Sequence, residues 1–289
     1  MIKNINVLEY VLQFESLRSP LSDYYMRSGK YAALGYFTKE NEAAGVMVYN
    51  IDSIFEIIYL KAKNDDDGIK RQLISELFKK AHSASGIRWR LLEGDSNASL
   101  ANSLGFYCES VLNIFHVERQ KGIGEVWEIL QKNEKLYAIL EKRGFEAKRF
   151  DELTKDELNQ IRNNPDDEFE SYFHPDQLMD NHCGVFSEEF STAAVISGKV
   201  AAYSIVKKPD GKHCVFEVIN VARSKRKSGA FIIAFLKPLR AMFDSDIEDC
   251  SFAIYENNRE MLNMFKANFG KIVTSQTVQR NLICHTRHS

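Results

Sequence analysis

The sequence predicts an α+β protein built as two tandem domains, each a mixed, mostly antiparallel sheet flanked by helices. Three observations lead there. The chain has 289 residues, more than one ordinary domain and suited to about two. One order of elements, strands followed by a helix, a strand and a second helix, occurs twice along it. In each copy a strand ends in a charged, glycine-bearing turn that leads straight into a helix, through Asp65, Asp66, Asp67 and Gly68 in one and Arg226, Lys227, Ser228 and Gly229 in the other.

Residues 7–27 carry a helical pattern interrupted at Pro20. The runs KYAALGYFT, AAGVMVYN and SIFEIIYLKA, ending at residues 38, 50 and 62, are rich in strand-favouring side chains and separated by polar turns, so they read as three strands. Residues 69–82 place Ile69, Leu73, Leu77 and Phe78 on one face of an amphipathic helix. A strand over 87–92, a short helix over 98–103, a turn at Leu104, Gly105 and Phe106 and a strand over 111–117 complete the first copy. Residues 124–143 space Val126, Ile129, Leu130, Leu136, Tyr137 and Leu140 as one face of a connecting helix. The second copy follows: a strand over 145–150, a helix over 151–164, an irregular stretch to Glu189, and strands over 191–198, 199–208 and 214–222. A helix over 229–243, a strand over 250–256 and a helix over 259–267 close it. Aligning the two turns puts Leu60 on Val221, Asp65 on Arg226, Gly68 on Gly229 and Lys70 on Phe231, an offset of 161 residues (229 less 68). The boundaries are then a first domain over 1–120, the connecting helix over 121–144 and a second domain over 145–289.

Composition bounds the chemistry. Hydrophobic residues make up 44% and charged residues 27%, a globular balance. A formal net charge of -2 provides no general attraction for nucleic acid, so any anion site has to be local. Cys108, Cys183, Cys214, Cys250 and Cys284 are odd in number, scattered and never spaced as CxxC, which fits a reducing compartment better than disulfides or structural zinc. With no apolar stretch of transmembrane length and no signal-peptide pattern, the expectation is a cytoplasmic protein without membrane contact. The aspartate run before Gly68 lacks the acidic twelfth ligand of a calcium loop, and adjacent His182 and Cys183 point apart on an extended chain, so no metal site is expected. His174, just before Pro175, reads as a turn residue, and His213 and Cys214, beside the turn 209–212, read as a hairpin edge.

A strand that ends in a basic, glycine-bearing turn and runs into a helix presents unpaired amides and the positive end of the helix dipole, an arrangement suited to a pyrophosphate. Four cations, Arg223, Lys225, Arg226 and Lys227, crowd that turn in the second copy. Here the chain resembles the GNAT superfamily of acyl-CoA-dependent N-acyltransferases, whose fourth strand ends in a loop of pattern Q/R-x-x-G-x-G/A. Arg226 and Gly229 match its first two fixed positions, and Phe231 stands where the second small residue belongs. The resemblance covers most of 145–289 and, more weakly, 28–118. It implies acetyl-CoA or another acyl-CoA as co-substrate, held by Ile219 and Val221 on the fourth strand, by Arg226, Lys227, Ser228, Gly229, Ala230 and Phe231 in the loop, and by Asn257 beyond it. It implies a small-molecule or peptide amine as acceptor, in a cleft shared with the first domain, and a base and an acid for proton transfer. Glu217 on the fourth strand is the candidate base. No tyrosine lies in 259–269, where the family places its acid, so Tyr255 is the substitute, and the amide of Val221 is a candidate oxyanion donor.

The first copy has three aspartates at its turn, whose carboxylates would repel a pyrophosphate by about 1 kcal/mol or more per close pair and which suit a helix start on their own account. The expectation is one cofactor-binding domain and one degenerate copy. A second segment, Arg119 to Gly124 (RQKGIG), fits the loop pattern better than Arg226 to Phe231, but no asparagine, helix and GF element follows it and accepting it would break the duplication. Bland readings stand beside these: a solvated basic turn at 223–229, an outward-facing strand residue at Glu217 and a packing aromatic at Tyr255. Beside acyl transfer, two further functions fit the sequence. One is a non-catalytic tandem module that binds a ligand or partner; the other is aminoacyl transfer from charged tRNA, which the net charge disfavours.

Overall fold

The computed structural model describes residues 1–17, 31–51, 53–170, 179, 186–209 and 211–285. Contacts divide the chain into two units, Met1–Leu112 with Val278–Ser289, and Asn113–Thr277. The boundaries expected from sequence, 1–120, 121–144 and 145–289, take each domain as one contiguous stretch, whereas the first of these units draws on both ends of the chain. The chain passes between units inside two strands, β6 (Tyr107–Glu118) and β12 (Ser275–His285). Pro20, Pro175, His174, His182 and Cys183 lie outside the described residues, as does most of the irregular stretch.

In the first unit the strands run in the order β1 (Ile2–Ile5), β2 (Tyr31–Phe37), β3 (Ala43–Asn50), β4 (Ile54–Ala62), β5 (Gly86–Leu92), β12. The first four form an antiparallel meander, β4 pairs parallel with β5, and β12 closes antiparallel on β5 from Gln279 to His285. The parallel pair needs a crossover, supplied by α2 (Asp67–Lys80), which sets Leu73, Ile74 and Leu77 on Leu34, Met47, Ile57 and Trp89. Gly45 on β3 permits that contact, since a Cβ there would lie 2.4 Å from Ile69. Strand alternation sends Ala33, Val46 and Val48 to the opposite face, beneath Tyr10 and Phe14 of the α1 region (Val7–Gln13 with its cap Phe14). The short helix α3 (Ala98–Ser103) follows β5. The sequence pattern reaches α2 and α3 within two residues, but it missed β1 and β12.

The second unit orders its strands β6, β11 (Asp249–Tyr255), β10 (His213–Val221), β9 (Lys199–Lys207), β8 (Thr192–Ile196), β7 (Phe145–Arg149). β7 to β10 are antiparallel and β10 with β11 is parallel. One face carries α4 (Arg119–Lys142) and α6 (Ala230–Asp244), whose Leu140, Ile233 and Ala234 pack on Ala194, Ala201 and Ala202. The other face packs Ile161 of α5 (Lys155–Asn163) with Val195, Tyr203, Ile205 and Val218. The last helix, α7 (Arg259–Phe269), adds Phe265 and Phe269 to a cluster that also holds Phe115, Phe216, Phe235 and Phe252. Among the described residues no helix is long and apolar enough to cross a membrane.

Candidate functional site

Parallel pairing of β10 with β11 runs only from His213 opposite Asp249 to Phe216 opposite Phe252. β10 continues five residues further, to Val221, and β11 continues to Tyr255, with no ladder joining them. The strands part at a bulge: Phe216 pairs with Val206 and Val218 with Ile205, leaving the backbone of Glu217 without a register partner on β9. Farther along, the amide of Ala222 donates to the carbonyl of Ala201 at 2.9 Å. Because antiparallel backbone groups alternate in direction, the N–H and C=O of Ile219 and Val221 face away from β9, into the gap that β11 has left. The first unit repeats this geometry. Its parallel pairing ends at Ile57 opposite Trp89, and Ile58 is the bulged residue.

Beyond Val221 the chain makes a short turn of helix over Arg223–Lys225 and reaches Gly229, which caps α6. Gly229 has φ +90°, and a Cβ there would lie 3.1 Å from Leu140 of α4. Both facts demand glycine. The cap offers no side chain, and the amides of Lys227, Gly229 and Phe231 have no partner among the described residues. Ser228 fills one place: its hydroxyl donates to the carbonyl of Lys225 at 2.7 Å and accepts from the amide of Ala230 at 3.2 Å. The ring of Phe231 turns sideways, stacked on Phe235 (centroids 5.6 Å, planes 11° apart) and tilted against Phe269 at 6.3 Å.

The four cations of the turn are not equivalent. Arg223 holds the carboxylate of Asp167 at 2.8 Å and lies 3.6 Å from that of Glu170, and Arg226 also pairs with Glu170. The amide of Ser224 donates to the Glu168 carboxylate at 3.0 Å, a bond that holds this carboxyl below the usual range. Asp167, through its hydrogen bond and its charge, pushes the Arg223 guanidinium further up. Lys225 and Lys227 have no ion-pair partner among the described residues. Sequence reasoning missed this acidic run, Asp166 to Glu170, although its spacing against a basic run of similar length was a visible signal. Next to it Tyr203 is fully buried and accepts from Asn220 Nδ2 at 3.3 Å, and burial pushes its hydroxyl up to about 12.

The remaining candidates are more scattered. Glu217 is exposed and pairs with Lys207 at 3.5 Å. Tyr255 ends β11, is 39% exposed and shares no described contact with Glu217. Asn257 is exposed in the turn before α7, and it is Asn258 that caps the helix, accepting from the amide of Met261 at 3.2 Å. The segment Arg119 to Gly124 is no loop at all: it forms the first turns of α4, with the amide of Arg119 bonded to the carbonyl of Glu248 and Gly122 packed on the carbonyl of Ile272. Close packing accounts for Gly122 of its loop-like pattern but not for Gly124, where a Cβ would meet nothing within 4 Å.

Structural equivalence also corrects the alignment of the two turns. Ile57 matches Phe216 at the last parallel pair, an offset of 159, whereas Gly86 matches Asp249 on the next strand, an offset of 163. The helix caps, Asp66 and Gly229, keep the second value (229 less 66). The turn of the second unit is therefore four residues longer, and the ungapped offset of 161 averaged over the difference. Gly68 falls on Phe231 and Lys63 on Arg226.

No family model and no curated protein matches the sequence. Solved structures do match the fold. A tandem GNAT protein from the clavulanic acid biosynthesis pathway superposes with TM-score 0.69 at 13% identity, covering 100% of both chains. The chain has a tandem GNAT fold. A GCN5-related N-acetyltransferase from Sphaerobacter thermophilus matches with TM-score 0.65 at 11% identity, over 99% of this chain and 96% of the other. An acetyltransferase of the GNAT family from Colwellia psychrerythraea gives 0.54 at 12% identity, over 99% and 100%.

Proposed function

We propose that the protein is an acyl-CoA-dependent N-acyltransferase whose second unit binds the acyl donor. The carrying observation is the start of α6: three open amides beside a side-chain-free cap, at the end of a strand whose backbone groups face an open gap. The pyrophosphate would lie against the amides of Gly229 and Phe231 with Lys227 beside them, and the pantetheine arm would take backbone bonds from Ile219 and Val221. Gly229 suits a close approach by the donor. The first unit offers no such place, because the carboxylate of Asp66 already accepts from the amides of Gly68 (2.7 Å) and Ile69 (3.1 Å).

In the reaction the amine nitrogen forms a bond to the acyl carbon, the C–S bond breaks, and the amine proton passes to Glu217 directly or through water. Glu217 sits where β10 leaves β11, at the mouth of the gap, with Lys207 at its carboxylate. The amide of Val221 faces the same gap and would meet charge developing on the acyl oxygen. Tyr255 is the candidate proton donor to the departing thiolate. The acceptor is an amine, with acetyl-CoA or a longer acyl-CoA as donor.

Calorimetry with acetyl-CoA tests the donor site. Wild type binds, and Gly229→Asp combined with Leu140→Ala, which gives the new side chain room, brings in the carboxylate cap of the first unit and abolishes binding. No binding to wild type rejects the reading. An amine screen for CoA release tests turnover, with Glu217→Gln lowering kcat about 100-fold. A second reading, a ligand-binding module without turnover, is favoured by one observation: α7 contains no tyrosine and Tyr255 is exposed. Donor binding without CoA release from any amine would select it.

A further inference from the structure

The cations of the basic turn are divided between two tasks. Residues 164–170 lie along the turn as a strap. The strap is held by the Arg223 pair with Asp167, by the Arg226 pair with Glu170, and by the Ser224 amide on Glu168. Main-chain bonds fix its course: the amide of Arg223 donates to the carbonyl of Glu168 at 2.8 Å, and Asn220 Nδ2 donates to the carbonyl of Glu170 at 3.3 Å. Asn164 ties the strap to itself by bonds to both the amide and the carbonyl of Phe169, whose ring packs edge-on against buried Tyr203. Asp166 extends the clasp to Lys199 at 3.1 Å. A carboxylate already opposite each guanidinium leaves little net charge there for a ligand. Lys225 lines a cavity of about 440 Å³ beneath the strap, together with Asp166, Glu168 and Lys199. Among the described residues, Lys227 is the one cation of the turn that is exposed and also has no carboxylate partner, and it lies two residues before the open amide of Gly229.

We infer that Arg223 and Arg226 serve as anchors of the strap, and that Lys227 is the side chain of this turn that meets the donor's phosphates. The inference rests on the acyl-CoA reading above and departs from the loop pattern, in which the residue at the position of Arg226 would be counted among the donor contacts. It assigns the opposite roles to two neighbours in sequence.

The test is calorimetry of the full chain with CoA at about 0.05 M and 0.5 M salt, where screening separates charged contacts from neutral ones. Lys227→Gln is expected to weaken binding about threefold to tenfold at low salt and to flatten the salt dependence. Lys225→Gln removes the same charge two residues away and is expected to change binding less than twofold. The paired variant Arg226→Gln with Glu170→Gln conserves net charge and avoids a stranded carboxylate; it is expected to bind within twofold of wild type. A paired variant that loses more than about fivefold, or equal losses for Lys225→Gln and Lys227→Gln, overturns the assignment while the acyl-CoA reading stands. Wild type without affinity removes both.

Discussion

At the start of α2 the carboxylate of Asp66 takes two helix amides, and Lys70, buried to 1%, is held by Asp65 at 2.5 Å and by the side-chain carbonyl of Asn97 at 2.7 Å. At the start of α6 the cap is a glycine, three amides are open among the described residues, and Ile233, the counterpart of Lys70 at an offset of 163, packs on alanines where the first unit has an ammonium. The same topology, with a bulge and a parting pair of strands in both, thus ends once in a helix start satisfied by its own side chains and once in one that leaves backbone donors unmet. Lys227 is exposed and Gly229 and Phe231 are half-buried, so these donors are within reach of water or a ligand. The fixed pattern positions are traded as well. The first unit keeps the small residue, Gly68, and loses the open cap; the second keeps the open cap and places Phe231 where glycine would be.

The most damaging way to break this contrast is to unseal the first unit. Asp65→Ala strands the buried Lys70 ammonium with only Asn97 and the more distant Asp67 at 3.6 Å, and is expected to cost about 3 kcal/mol, read as a lowered thermal midpoint. Arg226→Ala at the matching turn removes a pair between an exposed guanidinium and a half-buried carboxylate that keeps Arg223 nearby, and is expected to cost under about 1 kcal/mol. Equal costs would mean that the two helix starts are held in the same way.

The glycines give the next largest difference. Gly229→Ala meets both a left-handed backbone and Leu140, and is expected to cost about 1–2 kcal/mol. Gly68→Ala, in a helical first turn where a Cβ meets only the carboxylate of Asp66 at 3.0 Å, is expected to stay within about 0.5 kcal/mol of wild type. Chemical denaturation of the two variants measures both.

The pH dependence sharpens the comparison further. The hydrogen bond from Lys70 holds the Asp65 carboxyl below its ordinary value of 3.8. A carboxyl lowered by folding contributes stability that is complete above its unfolded value and disappears as pH falls through the folded one. Asp65→Asn should therefore be less stable than wild type at neutral pH, with the gap closing as pH falls below about 4. A gap independent of pH would show that the charge of Asp65 plays no part in sealing the first unit.

Much of this was legible from spacing alone. The helix face Ile69, Leu73 and Leu77, the strands on either side and the glycine-bearing turns follow from periodicity and turn chemistry, which are local. What escaped was non-local. β12 pairs with β5 across 187 to 199 residues of chain (279 less 92, 285 less 86), and its half-buried pattern carries a weak alternation with no turn signal to frame it. The strap escaped because a run of acids reads as solvated surface until the basic run that meets it is placed opposite. The four-residue difference between the turns escaped because an ungapped offset matches glycine to glycine, whereas the backbone matches cap to cap.

Phe231 gives the finest test of the contrast. If a small residue were needed at that position, replacing the phenylalanine should raise donor affinity sharply, and Gly68 would be the vestige of a better site. The geometry argues otherwise, because the ring stacks on Phe235 and leans on Phe269 while the amide of the same residue stays open. Phe231→Ala is therefore expected to cost about 1 kcal/mol of stability through the lost aromatic pair and to change CoA affinity less than threefold. A tenfold gain on the same calorimeter would place the ring in the donor's path and make the turn of the second unit a partly closed site.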